Sequence, residues 1–130
     1  MANPNIVSVS SIYGQSMGEA LTTDVTTNVM TCQTNKILKI NYIGVANTSP
    51  TVATDVTVAV TKVDYTSGGI ASDEEHAGTF KLASTVNLSA DDALIVLDKP
   101  IYLMEGDQLE AGANPATADI FVSFEVIDDA

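Results

Sequence analysis

The chain has 130 residues and carries 17 acids against five bases, all of them Lys, for a net charge of −12. That length suits a single domain able to bury roughly two-thirds of its unfolded surface. The charge argues against nucleic acid and against an anionic membrane as partners, because both are held by neutralising phosphate with Lys and Arg.

Thr, Val and Ile supply 39 residues. Branching at Cβ restricts χ1 and favours pleated strands over helices. In chain order, Ile6 to Tyr13 is apolar and β-branched and reads as a strand or extended arm closed by Gly14. Ala20 to Thr31 spaces Leu21, Val25 and Val29 at helical intervals, but the intervening Thr22, Thr23, Thr26 and Thr27 are poor helix formers. A strand is expected there. Lys36 to Asn47 reads as a strand with Leu38, Ile40 and Tyr42 facing the core and Lys39 and Asn41 facing solvent. Turn residues from Asn47 to Pro50 end it. Asp55 to Asp64 alternates Val56, Val58 and Val60 with Asp55, Thr57, Ala59 and Thr61, the period-2 pattern of a half-buried strand.

Tyr65 to Gly78 is polar, contains Gly68-Gly69 and Asp73-Glu74-Glu75, and is expected to be a loop. Thr79 to Leu88 returns to strand, Ser89 to Asp92 forms a turn, and Leu94 to Leu97 is a short apolar strand. Pro100 to Met104 and Gln108 to Ala111 flank Glu105-Gly106-Asp107, which reads as a tight hairpin. After a loop from Ala113 to Ala118, the segment Ile120 to Ile127 puts Ile120, Val122, Phe124 and Val126 on one face and Ser123 and Glu125 on the other.

The expectation is an all-β protein: one antiparallel β-sandwich or jelly roll of about eight strands over 1–130, with consecutive strands paired and residues 1–12 as an N-terminal arm or edge strand. Residues 1–65 carry a net charge of −1 and residues 66–130 a net of −11. This asymmetry suits a domain with one packed face and one hydrated face.

Few residues point to chemistry. Gly14-Gln15-Ser16-Met17-Gly18 matches the G-x-S-x-G letters of a nucleophile elbow. That device needs a strand–turn–helix and preceding strands to build an oxyanion hole. Thirteen residues are too few to supply them, so a turn between the first two strands is expected. His76 is the one histidine and Cys32 the one cysteine. Transition-metal sites need several converging N or S ligands, so His76 reads as a loop residue and Cys32 as a small buried side chain. Asp73, Glu74, Glu75, Asp91, Asp92, Asp107 and Asp119 could serve calcium only if their loops met. With no Trp and seven other aromatics, a sugar-stacking cleft is not expected. No catalytic residue, cofactor or metal is assigned. No basic and apolar leader pattern opens the sequence, and no apolar run has the length of a membrane span.

Several stretches carry a resemblance. Asn3-Pro4-Asn5-Ile6-Val7-Ser8-Val9-Ser10-Ser11-Ile12-Tyr13-Gly14, Lys36 to Asn47, Ala53 to Val58 and Pro100 to Leu109 resemble small virion structural proteins of tailed phages, especially those infecting marine cyanobacteria. The resemblance implies a many-copy particle protein placed in the virion and assembled in the host cytoplasm. It does not fix the position in the particle; the long acidic loop and the acidic second half, as expected of an outward face, favour a head decoration (cement) protein, a type that often trimerises and would here contact the major capsid protein. A tail, neck or fibre-base component, or a host-surface carbohydrate-binding module, is the alternative. Ile6, Val7, Val9, Ile12 and Tyr13 are the expected interaction residues, adding a strand to a partner's edge.

Overall fold

A computed structural model of the chain describes residues 9–63 and 77–129. It contains nine strands and no helix among them: β1 (Val9–Ala20), β2 (Asn28–Thr31), β3 (Lys36–Asn47), β4 (Thr54–Lys62), β5 (Gly78–Leu88), β6 (Ala93–Leu97), β7 (Ile101–Leu103), β8 (Gln108–Asn114) and β9 (Ala118–Asp129). They form two antiparallel sheets. Sheet A has the order β1-β9-β3-β6, with β7 also on β3, and sheet B the order β2-β8-β4-β5.

β6 and β7 lie along the same side of β3, β7 against Leu38–Ile40 and β6 against Ile43–Ala46. Pro100, which has no N–H to give a ladder, stands between them. Counting them as one broken strand leaves eight, in jelly-roll order. Both halves of the fold-class expectation are therefore met, but consecutive pairing is not. β4 and β5 are the one consecutive pair that hydrogen-bonds, because the chain otherwise crosses between sheets.

The core lies between the sheets. Ile40, Ile43, Val45, Leu103, Ile120 and Val122 from sheet A meet Val56, Val58, Leu109, Ala111 and Ala113 from sheet B, all almost fully buried. Each large aliphatic side chain placed there contributes about 1.5–3 kcal/mol. The inward faces expected for β4 and β9 are observed, Val56, Val58 and Val60, and Ile120, Val122, Phe124 and Val126; β4, however, is not half-buried, since Thr57 and Ala59 on its other face are buried as well.

Four further expectations are corrected. The first strand does not close at Gly14 but runs on to Ala20, and Gly14 to Gly18 pair residue by residue with Glu125 to Phe121. The strand expected over Ala20 to Thr31 is reduced to β2, with Leu21 to Thr27 forming a loop; Asp24 accepts from the Thr26 backbone and hydroxyl at 2.9 and 2.7 Å. Such local bonds compete with a ladder. In β3 the register shifts between Ile40 and Tyr42. One extra residue, Asn41, reverses the faces that follow, so Tyr42 points outward and Ile43 and Val45 take the core.

The fourth correction concerns Glu105-Gly106-Asp107. β7 belongs to sheet A and β8 to sheet B, so this turn is an arch between the sheets and not a hairpin. Asp107 is completely buried. Its carboxylate accepts from the Lys62 ammonium and from the N–H groups of Val63 (3.1 Å) and Met104 (2.9 Å). Glu105 accepts from the Asn35 N–H at 2.7 Å, and Cys32 exchanges backbone bonds with Gly106 and Asp107. The arch thus joins the β2–β3 turn, the end of β4 and both of its own flanks.

Candidate interaction surface

Side chains on the outer face of sheet A fall into rows across the strands. One row runs Gly18–Phe121–Gly44–Ile95, the next Ser16–Ser123–Tyr42, then Gly14–Glu125–Lys39–Tyr102, and the last Ile12–Ile127–Ile37, of which Ile127 and Ile37 are buried. Phe121 is 50% exposed, Ile95 62%, Tyr102 48%, Ile12 54% and Tyr42 37%. Single exposed hydrophobics are ordinary, but neighbours in register on one sheet face mark a contact surface. Two glycines shape it. The Phe121 ring lies beside Gly18, where an added methyl would meet it at 3.4 Å, and the Tyr42 ring covers Gly44. Lys39 and Glu125 pair at 3.5 Å within one row, and Asp119, of the same parity as Phe121, is exposed at the end of β9, so among the described residues this face carries few charges for a strongly acidic chain.

A groove of about 320 Å³ opens where β1 and β2 form one edge of the sandwich. Its apolar floor is Leu38, Phe124 and Val126, and its rim includes Tyr13, Gln15 and Met17 of β1 and Met30 of β2. The groove exists because β2 has four residues against twelve in β1, which leaves the inward side of β1 partly uncovered.

The five expected interaction residues divide accordingly. Ile6 and Val7 lie outside the described residues. Val9 begins β1 opposite Asp129, Ile12 faces outward from sheet A, and Tyr13 faces the groove. Val9, Ile12 and Tyr13 belong to β1, an edge strand of sheet A; residues 1–8 of the expected arm or edge strand lie outside the described residues. Phe121, Ile95, Tyr42 and Tyr102 were not identified from the sequence. Phe121 was findable, since it shares the parity of Ser123 and Glu125 and breaks their polar pattern.

The residues weighed for chemistry do not converge. Ser16 sits within the edge strand β1 opposite Ser123, without the turn that makes an elbow. His76 and the acids 73–75 lie outside the described residues. Among the described residues no three His, Cys, Asp or Glu side chains group as a metal site; Asp91, Asp92 and Asp119 are exposed while Asp107 is buried in the arch. Cys32 is 1% exposed, its thiol donates to the Lys36 carbonyl at 3.1 Å, and burial pushes its pKa up to about 11. A thiol so held stays protonated and hidden. Asn47, the first residue of a sequon, is buried, and its amide donates to the carbonyls of Val52, Leu88 and Ser89.

No family model, curated protein or solved structure matches the chain. The surface therefore has to be read from its own chemistry.

Proposed function

We propose that this chain is a structural subunit of a tailed-phage virion, a head decoration protein that binds the major capsid protein. The observation that carries the reading is the outer face of sheet A, where Phe121, Ile95, Tyr42 and Tyr102 stand exposed on three neighbouring rows with Lys39 and Glu125 as the charges among them. A net charge of −12 keeps the remaining surface hydrated and the free protein soluble. The jelly-roll order is compatible, since that architecture recurs in viral capsid and lectin domains. Fold alone assigns no function; the outer face and the sequence resemblance support this one.

In this reading the face is the glue and the acidic remainder looks toward solvent. Burying four large apolar side chains contributes several kcal/mol before the cost of association. Many copies on one particle then sum modest contacts. The test compares density maps of particles with and without the protein, paired with rebinding of purified protein to stripped particles. Added mass on the head, lost with Ile95→Asp, is the expected result. Mass on the tail or baseplate would move the subunit there. No mass on the particle, with binding to host-surface glycans instead, would replace the reading with a carbohydrate-binding module.

A further inference from the structure

We propose that two copies of this chain pair edge to edge through β1, antiparallel and centred on Gln15, so that sheet A continues across a two-fold axis. Among the described residues β1 hydrogen-bonds to β9 alone. Its other side therefore offers a row of backbone N–H and C=O groups whose natural occupant is a strand. Proteins commonly blunt such edges with Lys, Pro, short strands or bulges. The other edges are protected in these ways. β2, β6 and β7 have four, five and three residues, and β5 carries Lys81 and two register shifts against β4. β1 has twelve residues, VSSIYGQSMGEA, with no Lys, no Pro and one irregularity, at its start.

Charge selects the occupant. On a chain of net −12, most surfaces of one copy repel those of another. β1 has no charged residue from Val9 to Gly18, and Glu19 is its single charge. A two-fold perpendicular to the sheet keeps outward residues outward, so facing positions must share parity. Centring on Gln15 meets this condition and places Ile12 of each copy over Gly18 of the other, beside the exposed Phe121 ring. Tyr13 of each copy meets Met17 of the other, which caps the two grooves. Glu19 falls opposite an uncharged position. The contact is isologous, the commonest symmetry of homo-oligomers. It is independent of the virion reading, which uses the outer face and is tested by Ile95→Asp on particles.

Light scattering after size exclusion, at tens of micromolar protein, is expected to give twice the 13.6 kDa chain mass. Facing residues in an antiparallel pair have Cα atoms about 4.5 or 5.5 Å apart, within the span of a disulfide. Gln15→Cys is therefore expected to yield a covalent dimer under mild oxidation, with buried Cys32 remaining reduced. Gln15→Lys puts like charges directly opposite and is expected to abolish the two-chain mass while the far-UV dichroism of the sheets persists. A one-chain mass would overturn the proposal. So would a three-chain mass, which would instead return the trimer that the resemblance implies. A two-chain mass unchanged in Gln15→Lys would also overturn it. Should Gln15→Lys fail to fold, the Gln15→Cys cross-link decides, and its absence overturns the pairing.

Discussion

Replacing Asp107 with Ala is expected to remove about 3–5 kcal/mol of stability. The carboxylate is fully buried and receives three donors, the Lys62 ammonium and the N–H groups of Val63 and Met104. Each buried N–H left without an acceptor costs about 1–3 kcal/mol. The Lys62 term is smaller than that of a fully buried ion pair, because its side chain is 24% exposed and water replaces part of the lost interaction. Asp107→Asn keeps one acceptor oxygen but turns an amide donor toward other donors, so it is expected to fall between wild type and Ala. For a domain whose total is about 5–15 kcal/mol, the Ala variant loses a large fraction. Urea unfolding followed by far-UV dichroism measures this directly, with tyrosine emission as a second probe. A loss below about 1 kcal/mol for Asp107→Ala, the net worth of one ordinary hydrogen bond, would refute the view that the arch holds the sheets together.

Other substitutions separate rigid from yielding neighbours. Gly112→Ala would bring its methyl within 2.6 Å of the Asp24 carbonyl oxygen and the Val25 Cα, and moving that backbone is expected to cost about 1–3 kcal/mol in the same assay. At Gly44→Ala the nearest atoms belong to the Tyr42 ring, an exposed side chain able to swing away, so a loss under about 1 kcal/mol is expected. Cys32 should resist a disulfide-exchange reagent at pH 8 in the folded protein and react fully in denaturant. Its pKa rises from 9.0 unfolded to about 11 folded, so the folded state retains the proton longer. The associated stability is complete below pH 9 and is lost as pH climbs toward 11. The wild-type curve minus that of Cys32→Ala should show this decline, and a flat difference would contradict it.

Much of the architecture could be read from side-chain alternation. β9 announced its buried face through Ile120, Val122, Phe124 and Val126, since a strand with one packed face must alternate; β4 showed its inward Val56, Val58 and Val60 but not the burial of Thr57 and Ala59 on the other side. What alternation cannot register is an inserted residue. Asn41 is one, and it turned Tyr42 outward against expectation. Alternation also carries no information on which sheet a strand joins, and so Glu105-Gly106-Asp107 looked like a hairpin. Two of its three residues are acids, a type seldom buried without partners, and those partners, Lys62 and Asn35, lie 45 and 70 residues away in sequence. The candidate surface was legible at Phe121 and hidden elsewhere. Ile95 reads as core in a run of four apolar residues, and the smoothing role of Gly18 and Gly44 depends on cross-strand neighbours.

The order of the strands bears on how the polypeptide emerges during synthesis. β8 bridges β2 to β4, and β9 bridges β1 to β3, so each bridging strand is made after both of the strands it joins. Until those residues leave the ribosome, β1 and β3 have no hydrogen-bonding neighbour between them, and β2 none beside it. Such late, long-range closure slows folding and lengthens the exposure of sticky edges. Products cut short before Ala118 are expected to be insoluble rather than partly native.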